Sequence, residues 1–157
     1  LYAPVDGQQF GLIVANPPFI PVPSSADFPV YGDGGADGMS VLRPMLAGLA
    51  RHLTPSGRAV VYAEGLGNAR GPLVLDLLEE TARTGLTVGL TVLSTMTAEH
   101  ALFTLGRMLS AQVPSRLEEL SSWSELFAAQ QVTHYSKFII EALVGDPGVT
   151  VRSIEAL

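Results

Sequence analysis

The feature that most constrains this chain is an apolar run that stops on two prolines. Phe10 to Ala15 (FGLIVA) is followed at once by Asn16-Pro17-Pro18-Phe19. The run is short, apolar and bounded by Gly and Pro, so it reads as a strand buried on both faces, as in a parallel sheet. Proline fixes its own φ and has no N–H, and it biases the residue before it towards an extended backbone. The strand therefore ends stiffly at Asn16. In an open α/β sheet, ligands bind beyond the carboxyl ends of the strands, which is where Asn16 stands.

The rest of the chain alternates between strand and helix patterns. Residues 16–38 are rich in Pro, Gly, Ser and Asp and read as a long ordered loop, a kind that is often functional. Asp37 is placed to cap a helix over Met39 to His52, with Pro44 predicting a kink or a helix start closer to it. Thr54 to Gly57 (TPSG) reads as a turn, and Arg58 to Ala63 (RAVVYA) as a second buried strand. Pro72 opens a helix over Leu73 to Arg83 that closes at Gly85. Leu86 to Leu93 is a third strand, rich in β-branched residues, and Ala98 to Leu109 a helix. Ser115-x-x-Glu118 and Ser122-x-x-Glu125 match capping boxes and predict two short helices. Val132 to Val144 is the last strand candidate, followed by a turn over Gly145 to Gly148. This alternation predicts an α/β layered sheet in one domain, and no internal repeat interrupts it.

Composition narrows the chemistry. The chain has 157 residues, 47% hydrophobic and 15% charged, with no cysteine. That suits a globular fold with a real core and rules out thiolate chemistry and cysteine metal sites within it. No apolar run approaches the roughly 18 to 20 residues that cross a bilayer. The net charge is −6, Lys137 is the only lysine, and the arginines are scattered from Arg43 to Arg152. Gripping a phosphate backbone needs clustered cations, so this composition argues against nucleic-acid binding by this segment. His52, His100 and His134 match no metal spacing, and no metal is expected. No G-x-S-x-G signals a nucleophile elbow.

Several polar residues stand near the predicted carboxyl edge. The stretch Glu64 to Gly71 (EGLGNARG) follows a strand and precedes a helix, but its glycine spacing is wrong for a dinucleotide fingerprint, and it reads as a plain loop. Glu64 begins that loop, as either a substrate contact or a solvated carboxylate. Tyr31 and Asp33 are either substrate-side residues or loop packing. Trp123 and Phe127, four apart on a helix, read as core.

Asn16-Pro17-Pro18-Phe19 reads either as a plain turn or as a holder for an –NH2 group. The prolines leave carbonyls without local donors, the Asn16 amide oxygen adds an acceptor, and Phe19 offers a flat face for stacking. A planar amide or aryl amine has two N–H groups to match. This text resembles motif IV of class I S-adenosylmethionine-dependent amino-methyltransferases, the Asn/Asp-Pro-Pro-Tyr/Phe group, which methylate exocyclic amines of nucleobases or the side-chain amide of glutamine. Gly34 to Leu46 (GGADGMSVLRPML) resembles the Gly-Gly-x-Asp-Gly segment of the protein-glutamine branch. Leu49 to Gly65 resembles that branch's next helix, turn and fifth strand, and Leu1 to Val5 (LYAPV) the text before its fourth strand. Gly11 stands where the family usually has Asp, and Phe19 where the protein-glutamine branch has Tyr. The resemblance is close through Gly85; from Leu86 on, only the order of elements agrees.

The resemblance implies a Rossmann-like methyltransferase sheet, of which residues 1–157 supply the C-terminal half: strands four to seven with their helices. The cofactor-binding N-terminal half would lie on the same polypeptide or a second chain, and the edge Leu12 to Ala15 would be left open. It further implies S-adenosyl-L-methionine as cofactor, a cytoplasmic setting, and no activity from this segment alone. Asn16, Pro17, Pro18 and Phe19 would be catalytic, with Asn16 also facing the cofactor and Tyr31, Asp33 and Glu64 on the substrate side. A protein glutamine is the first acceptor, a small-molecule amide another, and a nucleobase amine in rRNA or DNA an alternative. The contrasting reading is a non-catalytic assembly module that pairs through its open edge.

Overall fold

The protein is described by a computed structural model covering residues 1–24, 26–112 and 120–154. After a 3₁₀ turn at Ala3–Val5, the elements in chain order are β1 (Phe10–Ala15), α1 (Leu42–His52), β2 (Leu53–Asn68), the two-residue β3 (Gly71–Pro72), α2 (Val74–Ala82), β4 (Leu86–Thr97), α3 (Ala98–Gln112), α4 (Leu120–Ala129), β5 (His134–Val144) and β6 (Gly148–Ser153). One sheet runs β1-β2-β5-β4-β6, with β3 hooked onto β2. Strand β1 pairs parallel with β2 and β4 parallel with β6, while β5 is antiparallel to both β2 and β4. Hence β1, β2 and β4 all point their carboxyl ends to one edge, and β5 starts there. The mixed sheet with flanking helices is the α/β, Rossmann-like arrangement expected for the later strands of a class I methyltransferase domain.

Alternation along the strands builds two cores, one on each face of the sheet. Ala59, Val61 and Ala63 of β2, Val88 and Leu90 of β4 and Phe138 and Ile140 of β5 meet Leu46 and Leu49 of α1 and Leu77 and Leu78 of α2. On the opposite face, towards the carboxyl edge, Leu66 and Tyr135 join Ala101, Trp123, Phe127 and Val22. Trp123 ties this second core to the loop after β1: its Nε1 donates to the buried Pro21 carbonyl at 2.6 Å.

The structure departs from the sequence expectations at identifiable places. Strand β1 is not buried on both faces: it is the end strand, and Leu12 and Val14 are 52% and 71% exposed. That is the open apolar edge anticipated for Leu12 to Ala15. Thr54 to Gly57 fall within β2, but the pairing jumps from Phe10↔Leu53 to Leu12↔Arg58, so the turn text bulges out of the ladder rather than separating helix from strand. Glu64 to Asn68 are not a loop. They continue β2, because β5 pairs with it as far as Gly67↔His134. Helix α1 starts at Leu42, so Pro44 sits in the first turn, where no hydrogen bond to a carbonyl within the helix is lost. Asp37 lies ahead of that helix; its Oδ1 accepts from Met39 N at 2.8 Å and its Oδ2 pairs with Arg43 at 2.6 Å. Ser122 is inside α4 and does not cap it, since the helix extends to seat Trp123 and Phe127. The Ser115–Glu118 box lies outside the described residues. Strand β6 was not anticipated: its pattern of burial is almost wholly exposed, so it carries no buried apolar run to betray it. Among the described residues, no helix is long and apolar enough to cross a membrane.

Replacing Trp123 with Phe keeps the ring and removes the donor, leaving a buried carbonyl unpaired. We expect a loss of about 1–3 kcal/mol in urea denaturation. A change indistinguishable from wild type would mean that the indole bond does not hold the loop.

Candidate functional site

The loop after β1 is a rigid frame. Ile20 N donates to Gly32 O, Gly34 N to Ile20 O and Val22 N to Gly35 O, each at 2.9 Å, so residues 20–22 and 32–35 run alongside each other as a short parallel pair. Two glycines make this possible by close approach. A Cβ on Gly34 would come within 2.8 Å of the Phe19 carbonyl carbon, and one on Gly38, whose φ is +75°, within 2.6 Å of the Phe19 oxygen. The Gly-Gly-x-Asp-Gly text is therefore the back wall of the Asn-Pro-Pro-Phe segment: only Gly fits the space at both positions, and Gly38 needs the left-handed conformation as well.

On that frame Asn16 is exposed at the carboxyl end of β1, Pro17 is buried, and Pro18 and Phe19 are half-buried. Among the described residues nothing hydrogen-bonds the Asn16 amide or the Pro17 carbonyl. Two acceptors on a stiff backbone are thus unpaired, one on exposed Asn16 and one on buried Pro17. The Phe19 ring is held edge-on by Tyr62, with centroids 5.9 Å apart and planes at 74°.

Tyr62 begins a polar chain across the sheet. Its hydroxyl donates to Glu64 Oε1 at 2.7 Å, and Lys137 Nζ lies 3.8 Å from the same oxygen. Glu64 and Lys137 face each other directly in the β2–β5 ladder. Tyr135, opposite Leu66 in the same ladder, stands near enough for the Glu64 carboxylate to act on its phenol. The Glu64 side chain is only 17% exposed, so it is no solvated loop carboxylate. Its surroundings act on the tyrosines. Burial, then the hydrogen bond to Glu64 and its charge, push the Tyr62 phenol up to about 12. Burial, followed by the same carboxylate, drives Tyr135 upward as well. Both therefore stay protonated.

The other sequence candidates lie apart from this group. Tyr31 is 77% exposed at the loop tip. Asp33 turns its carboxylate onto Gly35 N at 2.8 Å, a local turn bond within the frame. His52 is buried under Tyr2, His100 packs on Phe103 and His134 bonds Thr133. Sequence reading missed Tyr62, Tyr135 and Lys137. The strand register that joins them is long-range, although the alternation Tyr62-x-Glu64 already put those two on one face.

Glu64→Gln removes the charge and one acceptor while leaving burial in place. The Tyr62 titration, followed by ultraviolet absorbance, should move from about 12 part of the way towards 10. A phenol whose pKa is raised on folding stabilises the fold below the unfolded value and loses that contribution as pH rises through the folded one. Stability of the wild type should therefore fall between pH 10 and about 12, and less so in Glu64→Gln. Identical titrations of the two proteins would remove Glu64 from the network.

No family model matches the chain. It is similar, over part of its length, to curated methyltransferases. It is 33% identical over 93 residues to the Release factor glutamine methyltransferase of Gloeobacter violaceus, covering 54% of this chain and 32% of that one. It is 35% identical over 65 residues to the Ribosomal protein uL3 glutamine methyltransferase of Bradyrhizobium diazoefficiens, covering 36% and 20%. With the Release factor glutamine methyltransferase of Mycolicibacterium smegmatis it shares 39% identity over 67 residues, 38% and 24% of the two. The matched segment thus spans no more than 32% of the length of any of these relatives.

Proposed function

We propose that residues 1–157 form the acceptor side of a single S-adenosylmethionine-dependent N-methyltransferase domain, acting on the side-chain amide of a protein glutamine. The observation that carries this is the pair of unpartnered acceptors at the carboxyl edge of β1, the Asn16 amide and the Pro17 carbonyl, next to the Phe19 ring. The similarity to glutamine methyltransferases supports the same reading.

The roles follow from the chemistry of an amide. Asn16 Oδ1 and the Pro17 carbonyl accept its two N–H bonds, Pro18 stiffens the turn, and Phe19 stacks on the amide plane. Held so, the nitrogen lone pair turns away from conjugation and towards the electrophile. S-adenosyl-L-methionine, when bound, supplies an electrophilic methyl on a sulfonium. That methyl would pass to the amide nitrogen with the thioether as leaving group, while Asn16 and the Pro17 carbonyl would hold the nitrogen and one N–H proton would go to solvent. Positioning supplies most of the acceleration, so no dedicated base is required.

The residues present fit one wall of such a cofactor site. Asn16 is exposed with a free amide and would face the cofactor as well as the acceptor. Glu64, the carboxylate at this edge, is engaged by Tyr62 and Lys137 and is not free for a ribose. The remaining cofactor contacts would come from sequence that pairs with the open edge of β1, on the same polypeptide or a second chain, in a cytoplasmic enzyme. Phe19 in place of Tyr favours a second reading, a nucleobase amine as acceptor. The scarcity of cations weighs against it.

Asn16→Ala in the intact protein should lower turnover by roughly a hundredfold or more while leaving cofactor affinity nearly unchanged. Undiminished turnover would leave the assembly-module reading in its place. Calorimetry on the 157 residues alone should show no micromolar binding of S-adenosylmethionine; such binding would contradict the division of labour.

A further inference from the structure

Beside Phe19 lies a cavity of about 290 Å³. Met96 from the end of β4 and Leu105 and Met108 from α3 wall it, and Glu64 and Lys137 stand at its polar side. We infer that this cavity is a specificity pocket for a protein acceptor. It takes an apolar side chain next to the methylated residue, and Lys137 Nζ donates to a backbone carbonyl of the same segment. The inference rests on the proposed methylation of a protein amide, because Phe19 is shared by both sites.

Four observations carry it. The volume is at the lower end of what small-molecule ligands occupy, roughly 300–1,000 Å³, and suits one side chain better than a nucleotide. Two of its walls are methionines, which adapt to apolar groups of irregular shape. Lys137 is 41% exposed, and its 3.8 Å separation from Glu64 is an ion pair beyond hydrogen-bond reach, so its N–H groups remain to be offered. The carboxylate beside it neutralises the site, which favours a neutral carbonyl over a phosphate. Among the described residues, no arginine lines the cavity to add the charge that a nucleic acid would need. Glu64 acts here as a positioning residue: held by Tyr62 and facing Lys137 across the ladder, it fixes where the ammonium stands.

The test uses the full-length protein without cofactor and isothermal titration calorimetry. The probes are acetyl-Ala-Gln-Leu-Ala-amide, its counterpart with Ser in place of Leu, and a single-stranded oligoadenylate. The leucine peptide should bind about tenfold or more tighter than the serine peptide, as expected for burying one aliphatic side chain. Thr104 lines the cavity from an exposed helix position, so Thr104→Trp fills the pocket without entering the core. In that variant the preference should vanish. Lys137→Met should weaken both peptides by about tenfold and Lys137→Arg should restore them, as for one charge-assisted hydrogen bond. Equal binding of the two peptides, or a preference that survives in a folded Thr104→Trp, overturns the pocket. So does oligoadenylate binding that Lys137→Met weakens and the leucine peptide cannot displace. Failure here is separable from failure of the methylation reading. If Asn16→Ala abolishes turnover but both peptides bind alike, the pocket falls and the methylation stands. If the leucine preference holds but no amide is methylated, the methylation reading falls alone.

Discussion

Everything at the edge of this sheet hangs on the pairing of β2 with β5. The ladder runs without interruption from Arg58↔Leu143 to Gly67↔His134 and brings the two ends of the chain's fold together. Because β5 runs against its neighbours, its first residues arrive at the edge where β1, β2 and β4 finish. Glu64 thereby faces Lys137, and Leu66 faces Tyr135. Antiparallel partners directly opposite each other share a face, so one register sets the whole polar group. A shift of one residue would send Lys137 and Tyr135 into the opposite core, where Phe138 and Ile140 now lie.

A second constraint acts on the loop. The prolines end β1 rigidly, but rigidity alone does not say where Phe19 points. That is decided by the short parallel pairing of residues 20–22 with 32–35 and by the approach of Gly34 and Gly38 to the Phe19 carbonyl. The Trp123 bond to Pro21 adds an anchor from a helix more than a hundred residues away in sequence. A segment so over-determined can leave acceptors unpaired at its tip, because its conformation does not depend on satisfying them.

How much of this was legible depended on the range of the interaction. The strands at Phe10 to Ala15, Arg58 to Ala63 and Leu86 to Leu93 and the helices around them were readable because apolar periodicity and Pro/Gly punctuation are local. The carboxyl-terminal extensions of the second and third strands were not. Glu64 to Asn68 look like loop text, with two glycines in five residues, and become strand only because β5 supplies partners. Strand β6, almost wholly exposed, had no apolar signature at all. At the site, Asn16, Pro17, Pro18 and Phe19 were legible as consecutive residues with a shared chemical logic, whereas Lys137 stands far from them along the chain.

By itself, the sequence determined that β1 must stop at Asn16 with open carbonyls, since the covalent restrictions of two prolines need no context. Tertiary structure alone decided that Glu64 is a clamped strand residue and that a cavity opens between Phe19 and α3. Those outcomes depend on which strand pairs with which and on how far each ladder runs, and pairing energy is a property of two segments together.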